Sequence, residues 1–278
     1  MNETARKKII QEYYSKRSKD YDKQKSRTWK STTGFGDEVA NAASDALAVF
    51  KGKRLLEVGV GSGRNALPLF EKIKPWLVGL DLSREMLETA KTKMRLFKRN
   101  LNLVLGDADH LPFTDEAFDA LFCMSTMHYF VSPASVMHAF SRILKEKGIF
   151  LCGDLTVHES DDERFFENLE RTLSKAHAQY HKPSEMKKMM ENCGFRVSNM
   201  ETFTYKKSYQ ALMEDKGDYF GVPHQTFDKY LQETSTTARQ QYSLSDVDLT
   251  LFYTVIVAKK ENKNSWFDAE EIGVHKNP

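Results

Sequence analysis

The sequence predicts an α/β chain built on a doubly wound, mostly parallel sheet. Three observations carry that expectation. Short apolar runs recur at residues 54–58, 76–80, 101–105, 118–124 and 148–154, with helical stretches between them, which is the strand-helix-strand rhythm of a parallel sheet. The first run closes on Gly59-Val60-Gly61-Ser62-Gly63, three glycines at alternate positions ahead of a helix. The second closes on Asp81, followed by Ser83 as a helix N-cap with an acidic first turn.

The elements follow in order. A helix over residues 65–74 takes the chain from the glycine turn to the second strand. The third run ends in Gly106-Asp107-Ala108-Asp109, and the fourth enters Ser125-Thr126-Met127-His128. A helix over 134–145 leads into the fifth run, which ends at Asp154. A helix over 184–192 then precedes a closing pair of strands at 196–205 and 249–258.

The glycine turn needs a backbone that bends sharply and lets a ligand lie against it without Cβ interference, as a nucleotide-type cofactor requires. Spacing narrows the choice, because a dinucleotide loop needs Gly-x-Gly-x-x-Gly and the residue after Gly63 is Arg64. A carboxylate at the tip of the second strand, Asp81, can accept hydrogen bonds from both hydroxyls of a ribose. Met86, one turn into the following helix, suits either the core or the flank of an adenine.

The pattern Glu57-x-Gly59-x-Gly61-x-Gly63 resembles motif I of the class I S-adenosylmethionine (SAM) dependent methyltransferases. Val78 to Leu87 is similar to that family's second motif, and Asp107 falls in its acidic loop, whose aspartate bonds the adenine amino group. The resemblance runs over roughly residues 50–155. It implies a Rossmann-like sheet of seven strands in the order 3-2-1-4-5-7-6, one of them antiparallel, with helical cap insertions. It also implies SAM as cofactor, S-adenosylhomocysteine as product, a small-molecule methyl acceptor and no metal. The implied cofactor site comprises Tyr21, Glu57, Gly59, Gly61, Gly63, Asp81, Leu82, Met86, Asp107, Ala108 and Ser125. With His181 to Phe195 included, the pattern is nearest the broad group that contains the ubiquinone/menaquinone-biosynthesis methyltransferases, whose acceptors span carbon, nitrogen, oxygen and sulfur.

Methyl transfer from a sulfonium asks the protein for orientation, water exclusion and, for a hydroxyl acceptor, a base. His128 and Asp154 stand at the carboxyl ends of strands that are neighbours in this fold, so they can meet as base and orienting carboxylate. Their positions match a His and Asp pair of some sugar and phenol O-methyltransferases; in other relatives that histidine only packs, and both roles stay open at this stage. Strand four lacks the Asn/Asp-Pro-Pro-Tyr/Phe run of amino-group nucleic-acid enzymes and the Pro-Cys nucleophile of cytosine-C5 enzymes. It also lacks the acidic pair of the Mg-dependent catechol enzymes.

Composition bounds the rest. With 41 basic against 39 acidic residues the chain carries no global basic excess, which disfavours a nucleic-acid partner. Residues 1–30 are locally basic and read as a solvated helix face. No apolar run reaches membrane-spanning length and the first residues lack a signal-peptide core, so a cytoplasmic protein is expected. Cys123, Cys152 and Cys193 read as buried reduced thiols.

Beyond the minimal domain, residues 1–36 are expected to form a helical cover. Ile9, Ile10, Tyr13, Tyr14 and Tyr21 fall on one side of it, and Gly34 and Gly36 suit a hinge. The segment from Tyr13 to Asp22 resembles the tyrosine-containing motif that covers the cofactor in small-molecule methyltransferases. The methyltransferase domain would occupy 37–260, with cap insertions at about 160–182 and 209–241 and a polar tail at 261–278. Three other readings are a SAM-binding protein without turnover, an arsenite or thiol methyltransferase using the cysteines as soft ligands, and an RNA-modifying enzyme.

Overall fold

A computed structural model describes residues 2–22, 45–66, 73–98 and 101–261. The apolar runs become β1 (Arg54–Val58), β2 (Trp76–Asp81), β3 (Asn102–Leu105), β4 (Phe118–Met124) and β5 (Leu144–Thr156). The closing pair becomes β6 (Phe195–Ser208) and β7 (Asp248–Lys260). They form one sheet in the order β3-β2-β1-β4-β5-β7-β6, the expected one. The first five strands pair in parallel, and β7 runs antiparallel between β5 and β6.

Alternation along each strand sends neighbouring side chains to opposite faces, and both faces are covered. Leu55, Phe122 and Leu151 pack into one core, and Leu56, Leu121 and Phe150 into the other. Parallel register then sets the carboxyl ends of β1, β2, β4 and β5 along one edge. Val58 lies opposite both Leu80 and Cys123, and Met124 lies opposite Gly153.

Helices α1 (Glu3–Arg17), α2 (Arg84–Leu96), α3 (Pro133–Ile143), α4 (Phe165–Leu173) and α5 (Pro183–Asn192) surround the sheet. Asn2 caps α1 by accepting the Ala5 N–H at 2.9 Å, and Ser83 caps α2 by accepting the Met86 N–H at 3.3 Å. The first insertion consists of α4 and an extended return. The return is pinned where His128 O accepts the N–H groups of Ala178 and Gln179 at 3.0 and 3.2 Å, and where His181 O accepts that of Val157 at 3.1 Å. The second insertion is helical, although its polar sequence carried little periodic signal. It runs through Tyr209–Leu212, a π-helical turn Met213–Gly217 and Asp218–Phe220, followed by α6 (His224–Gln232) and α7 (Thr236–Gln241).

Several boundaries move, most of all the start of the fifth strand. The helix expected over 134–145 ends at Ile143, and β5 begins at Leu144 rather than at 148. Burial of Leu144 pulls it into the sheet opposite Phe118, and the pairing shifts register before Ala120. Lys147 adopts φ 61° there, and a Cβ on Gly148 would lie 2.8 Å from Lys145 O. Tyr21 falls beyond the end of α1 and so is not part of that helix's stripe, which buries Ile10, Tyr13 and Arg17. Gly34 and Gly36, most of the helix expected over 65–74, the basic residues from 23 to 30 and the tail from 262 lie outside the described residues.

Gly59 and Gly52 separate two costs of a side chain. Both hold positive φ, but a Cβ on Gly59 would come within 2.2 Å of Thr126 Oγ1, whereas nothing stands within 4 Å of one on Gly52. Gly52→Ala should therefore cost about 1 kcal/mol of unfolding free energy in urea titration, and Gly59→Ala clearly more than about 2 kcal/mol. Equal losses would mean that the approach of Thr126 constrains nothing.

Candidate functional site

The glycine turn is bent by Gly59, Gly61 and Gly63 at φ 74°, 53° and 72°. Gly61 donates its N–H to Asp81 Oδ2 at 2.8 Å, and Ser83 donates to Oδ1 at 2.9 Å, so the carboxylate is fixed at the mouth of the turn. Burial nonetheless pushes the Asp81 carboxyl above its usual range, against these N–H groups. Met86 is buried under the turn, with its Cε 3.3 Å from where a Cβ on Gly61 would stand; Leu82 joins Asp81 to Ser83.

Glu57 is fully buried behind the turn. Asn65 donates to its Oε1 at 3.2 Å, while Oε2 has no hydrogen-bond partner. Desolvation raises its carboxyl to about 8. A buried carboxylate with an unused oxygen beside a glycine turn is chemically suited to a cationic ligand group.

The acidic loop is engaged by α1. Lys7 Nζ lies 2.7 Å from Asp107 Oδ2, also pairs with Asp109, and lies 2.7 Å from Glu3 Oε1. Asp107 Oδ1 accepts the Asp109 N–H at 3.1 Å, so both oxygens of the expected adenine reader already have partners. Ala108 is buried beside it. Farther along α1, Gln11 donates to Leu82 O at 3.3 Å and Ser15 to Glu85 Oε2 at 2.5 Å. Tyr14 and Tyr129 share a hydroxyl hydrogen bond at 2.6 Å, and the Tyr21 ring meets Tyr14 edge-on at 5.8 Å. Ser62 donates to Asp22 Oδ1 at 2.6 Å. The segment from Lys7 to Asp22 thus runs over the carboxyl ends of β1, β2 and β3.

On the other side, His128 and Asp154 come together. Asp154 Oδ1 lies 2.7 Å from His128 Nδ1, and Oδ2 accepts the His128 backbone N–H at 3.0 Å. Both residues are buried. With the carboxylate on Nδ1, Nε2 is left without a hydrogen-bond partner among the described residues. Ser125, at the tip of β4, adopts φ 53°, donates its N–H to Gly153 O at 2.6 Å and shares a hydrogen bond with the Tyr253 hydroxyl at 3.0 Å. A non-glycine residue in this region of φ is strained, and here it is held by the sheet.

Several residues of this neighbourhood escaped sequence reasoning. The Tyr180 ring centroid is 5.2 Å from that of His128 and 4.3 Å from that of His177. Glu167 accepts from His177 Nε2 at 2.8 Å and from the Tyr180 N–H at 2.6 Å, and Lys216 forms a buried ion pair with Glu170. The signal for the acids was ambiguous. Phe165, Leu169 and Leu173 mark the buried stripe of α4, and Glu167 and Glu170, two of the acids of this segment, are buried as well. Cys123 and Cys152 are register partners in the core at 0% exposure, their thiols pushed far up by burial; Cys193 lies apart, at the end of α5. Among the described residues no three His, Cys, Asp or Glu form a group fit for a metal ion, and no helix is long and apolar enough to cross a membrane.

Residues 56–152 match the family model described as a methyltransferase domain. The chain is similar to the methyltransferase GfsG of Streptomyces halstedii, 29% identical over 46% of this chain and 47% of that one. It is similar to YcgJ of Bacillus subtilis, an uncharacterized methyltransferase, at 29% identity over 59% of this chain and 65% of YcgJ. The crystal structure of YcgJ superposes with a TM-score of 0.73 over 81% of this chain and 99% of that one, at 22% identity. A fatty-acid O-methyltransferase of Mycolicibacterium smegmatis is 34% identical over 39% of each chain. The chain thus spans between about half and two thirds of the length of the first two of these relatives. A glycine turn closed by a strand-tip carboxylate, on a sheet of this order, lies within the stretch matched as a methyltransferase domain, and these likenesses support a class I SAM-dependent methyltransferase with S-adenosylmethionine as cofactor.

Proposed function

We propose that this chain catalyses methyl transfer from SAM to a small-molecule acceptor by direct in-line displacement. The observation that carries the reading is the His128–Asp154 pair, set at the carboxyl ends of β4 and β5 on the same sheet edge as the glycine turn. SAM, when bound, supplies a sulfonium-activated methyl group.

The residues present suit that cofactor. Gly59, Gly61 and Gly63 admit its amino-acid portion against bare backbone, and Glu57 Oε2 offers a partner to its ammonium. Asp81 takes the ribose hydroxyls, with Leu82, Met86 and Ala108 about the adenine. Asp107 would share its oxygen between Lys7 and the adenine amino group. Tyr21, just beyond α1, and Ser125 at the tip of β4 would close the site, with residues 2–22 as the described part of its cover. The insertions at 160–182 and 209–241 border the acceptor. We place the protein in the cytoplasm and assign it no nucleic-acid partner.

At the acceptor, Asp154 holds the His128 ring so that Nδ1 carries the proton and Nε2 presents a lone pair. A hydroxyl acceptor gives its proton to Nε2 as the methyl group arrives, and the imidazolium that forms is stabilised by the Asp154 carboxylate. The likeness to a fatty-acid O-methyltransferase supports an oxygen acceptor.

Titration calorimetry should show SAM binding to the full chain, weakened by about 1.5–3 kcal/mol in Asp81→Ala as charge-assisted bonds are lost. Absence of binding, or unchanged affinity in the variant, would refute the cofactor assignment. With the acceptor identified by labelled SAM, His128→Ala and Asp154→Asn should cut turnover by about 100-fold or more at unchanged SAM affinity. Turnover near wild type in both would leave His128 a packing residue.

Glu57 gives a pH signature. Its folded-state value of about 8 lies above the ordinary glutamate value of 4.5, so the folded chain binds the extra proton between those limits. Stability of the ligand-free protein should therefore fall as pH rises from about 4.5 to 8, by an amount on the order of a few kcal/mol. Glu57→Gln should flatten that fall in denaturant titrations across this window. Parallel pH profiles for the two proteins would show that Glu57 is ionised throughout.

A further inference from the structure

Four buried side-chain polar atoms among the described residues lack a hydrogen-bond partner: Arg6 Nε, Glu57 Oε2, His177 Nδ1 and His181 Nε2. Native folds keep few such atoms, and each calls for a physical reason. Glu57 belongs to the cofactor side. The other three gather where the first insertion returns beneath α1: Arg6 donates to His177 O at 3.3 Å, and the β5 end pairs with His181.

His177 is the best defined of them. Its Nε2 lies 2.8 Å from Glu167 Oε2, and Glu167 is itself fixed by the Tyr180 N–H at 2.6 Å and by Arg171 Nε at 2.5 Å. Although burial opposes it, contact with His177, the Tyr180 N–H and Arg171 holds the Glu167 carboxyl down at about 2; burial in turn lowers His177. An ionised Glu167 facing a neutral imidazole puts the ring proton on Nε2 and leaves Nδ1 as a bare acceptor. The ring centroid is 6.0 Å from that of His128, with the planes 30° apart and Tyr180 beside both. Two imidazoles, each oriented by its own carboxylate, therefore stand side by side at the acceptor end of the site, each with one unpaired nitrogen.

We propose that His177 is a specificity-determining residue that accepts a hydrogen bond from a second donor of the methyl acceptor. The acceptor is then a molecule with at least two O–H or N–H groups, one facing His128 and another facing His177, as in a diol, a dihydroxyaromatic or an amino alcohol. The inference rests on the methyltransferase reading with His128 as base. A molecule with a single donor would leave the His177 lone pair buried and unpaired, which is how a site rejects a close analogue.

Two variants distinguish this role from a purely structural one. His177→Gln can keep the contact to Glu167 but has no acceptor at the Nδ1 position, whereas His177→Asn places an amide oxygen near Nδ1 and gives up Glu167. The full chain is incubated with methyl-labelled SAM and a deproteinised cell extract, and the labelled product is identified and assayed. The product should carry a second O–H or N–H. KM for that acceptor should rise about tenfold in His177→Gln with little change in kcat, and stay within about threefold of wild type in His177→Asn. A product lacking a second donor, or any other ranking of the variants, overturns the proposal.

Two-bond proton–nitrogen spectra of the labelled protein with S-adenosylhomocysteine decide the tautomer without any acceptor. Neutral His177 protonated at Nε2 is expected, and a proton on Nδ1 overturns the assignment. Absence of SAM binding in calorimetry would instead remove the methyltransferase reading itself.

Discussion

Asp154 is the constraint on which the β4–β5 end of the sheet edge depends. It is 2% exposed, and a carboxylate so placed must have its oxygens satisfied. One oxygen takes the His128 backbone N–H; the other takes the His128 ring and the Leu155 N–H, the latter at 2.7 Å. These bonds tie the end of β4 to the end of β5 and orient the imidazole through both its backbone and its ring. The carbonyl of the same histidine receives the returning strand of the first insertion, so Tyr180 and His177 inherit their positions from this clamp. Loss of the carboxylate would disturb ring, turn and insertion together.

The cofactor side is organised by backbone instead. Positive φ at three glycines, N–H groups aimed at Asp81 and the close approach of Thr126 leave a surface shaped by main chain, which few side-chain changes can imitate. The helix over it is held at both its rim and its buried face. Lys7, Gln11 and Ser15 make polar contacts at the rim, of a kind that contributes little each, while Ile10, Tyr13 and Arg17 supply the buried part, where Arg17 pairs with Asp215 at 2.6 Å and the Tyr13 hydroxyl donates to Asp215 O at 2.8 Å.

The strands and the cofactor turn were legible because they rest on local signals, namely apolar runs, the cap at Ser83 and alternate glycines before a helix; the strand order followed from the resemblance to the methyltransferases. The meeting of His128 with Asp154 was legible because strand order makes their strands neighbours. What escaped was set by tertiary packing. Glu167 lies opposite the Phe165, Leu169 and Leu173 stripe of α4, and its buried partners His177 and Tyr180 come from the return of residues 174–182, whereas the partner of Glu170, Lys216, comes from the second insertion. Lys7 on Asp107 and Thr126 on Gly59 join residues far apart in the chain, with no spacing to announce them. The start of β5 moved because burial of Leu144 outweighed the helical periodicity that runs through it.

The central claim is that one sheet edge brings a cofactor held by Asp81 to a base held by Asp154. The most direct test is a crystal structure of the full chain with S-adenosylhomocysteine. The account predicts ribose hydroxyls on the Asp81 carboxylate and the sulfur turned toward His128 Nε2, with α1 still crossing the site. A ribose bound away from Asp81, or a sulfur turned away from His128, would contradict it.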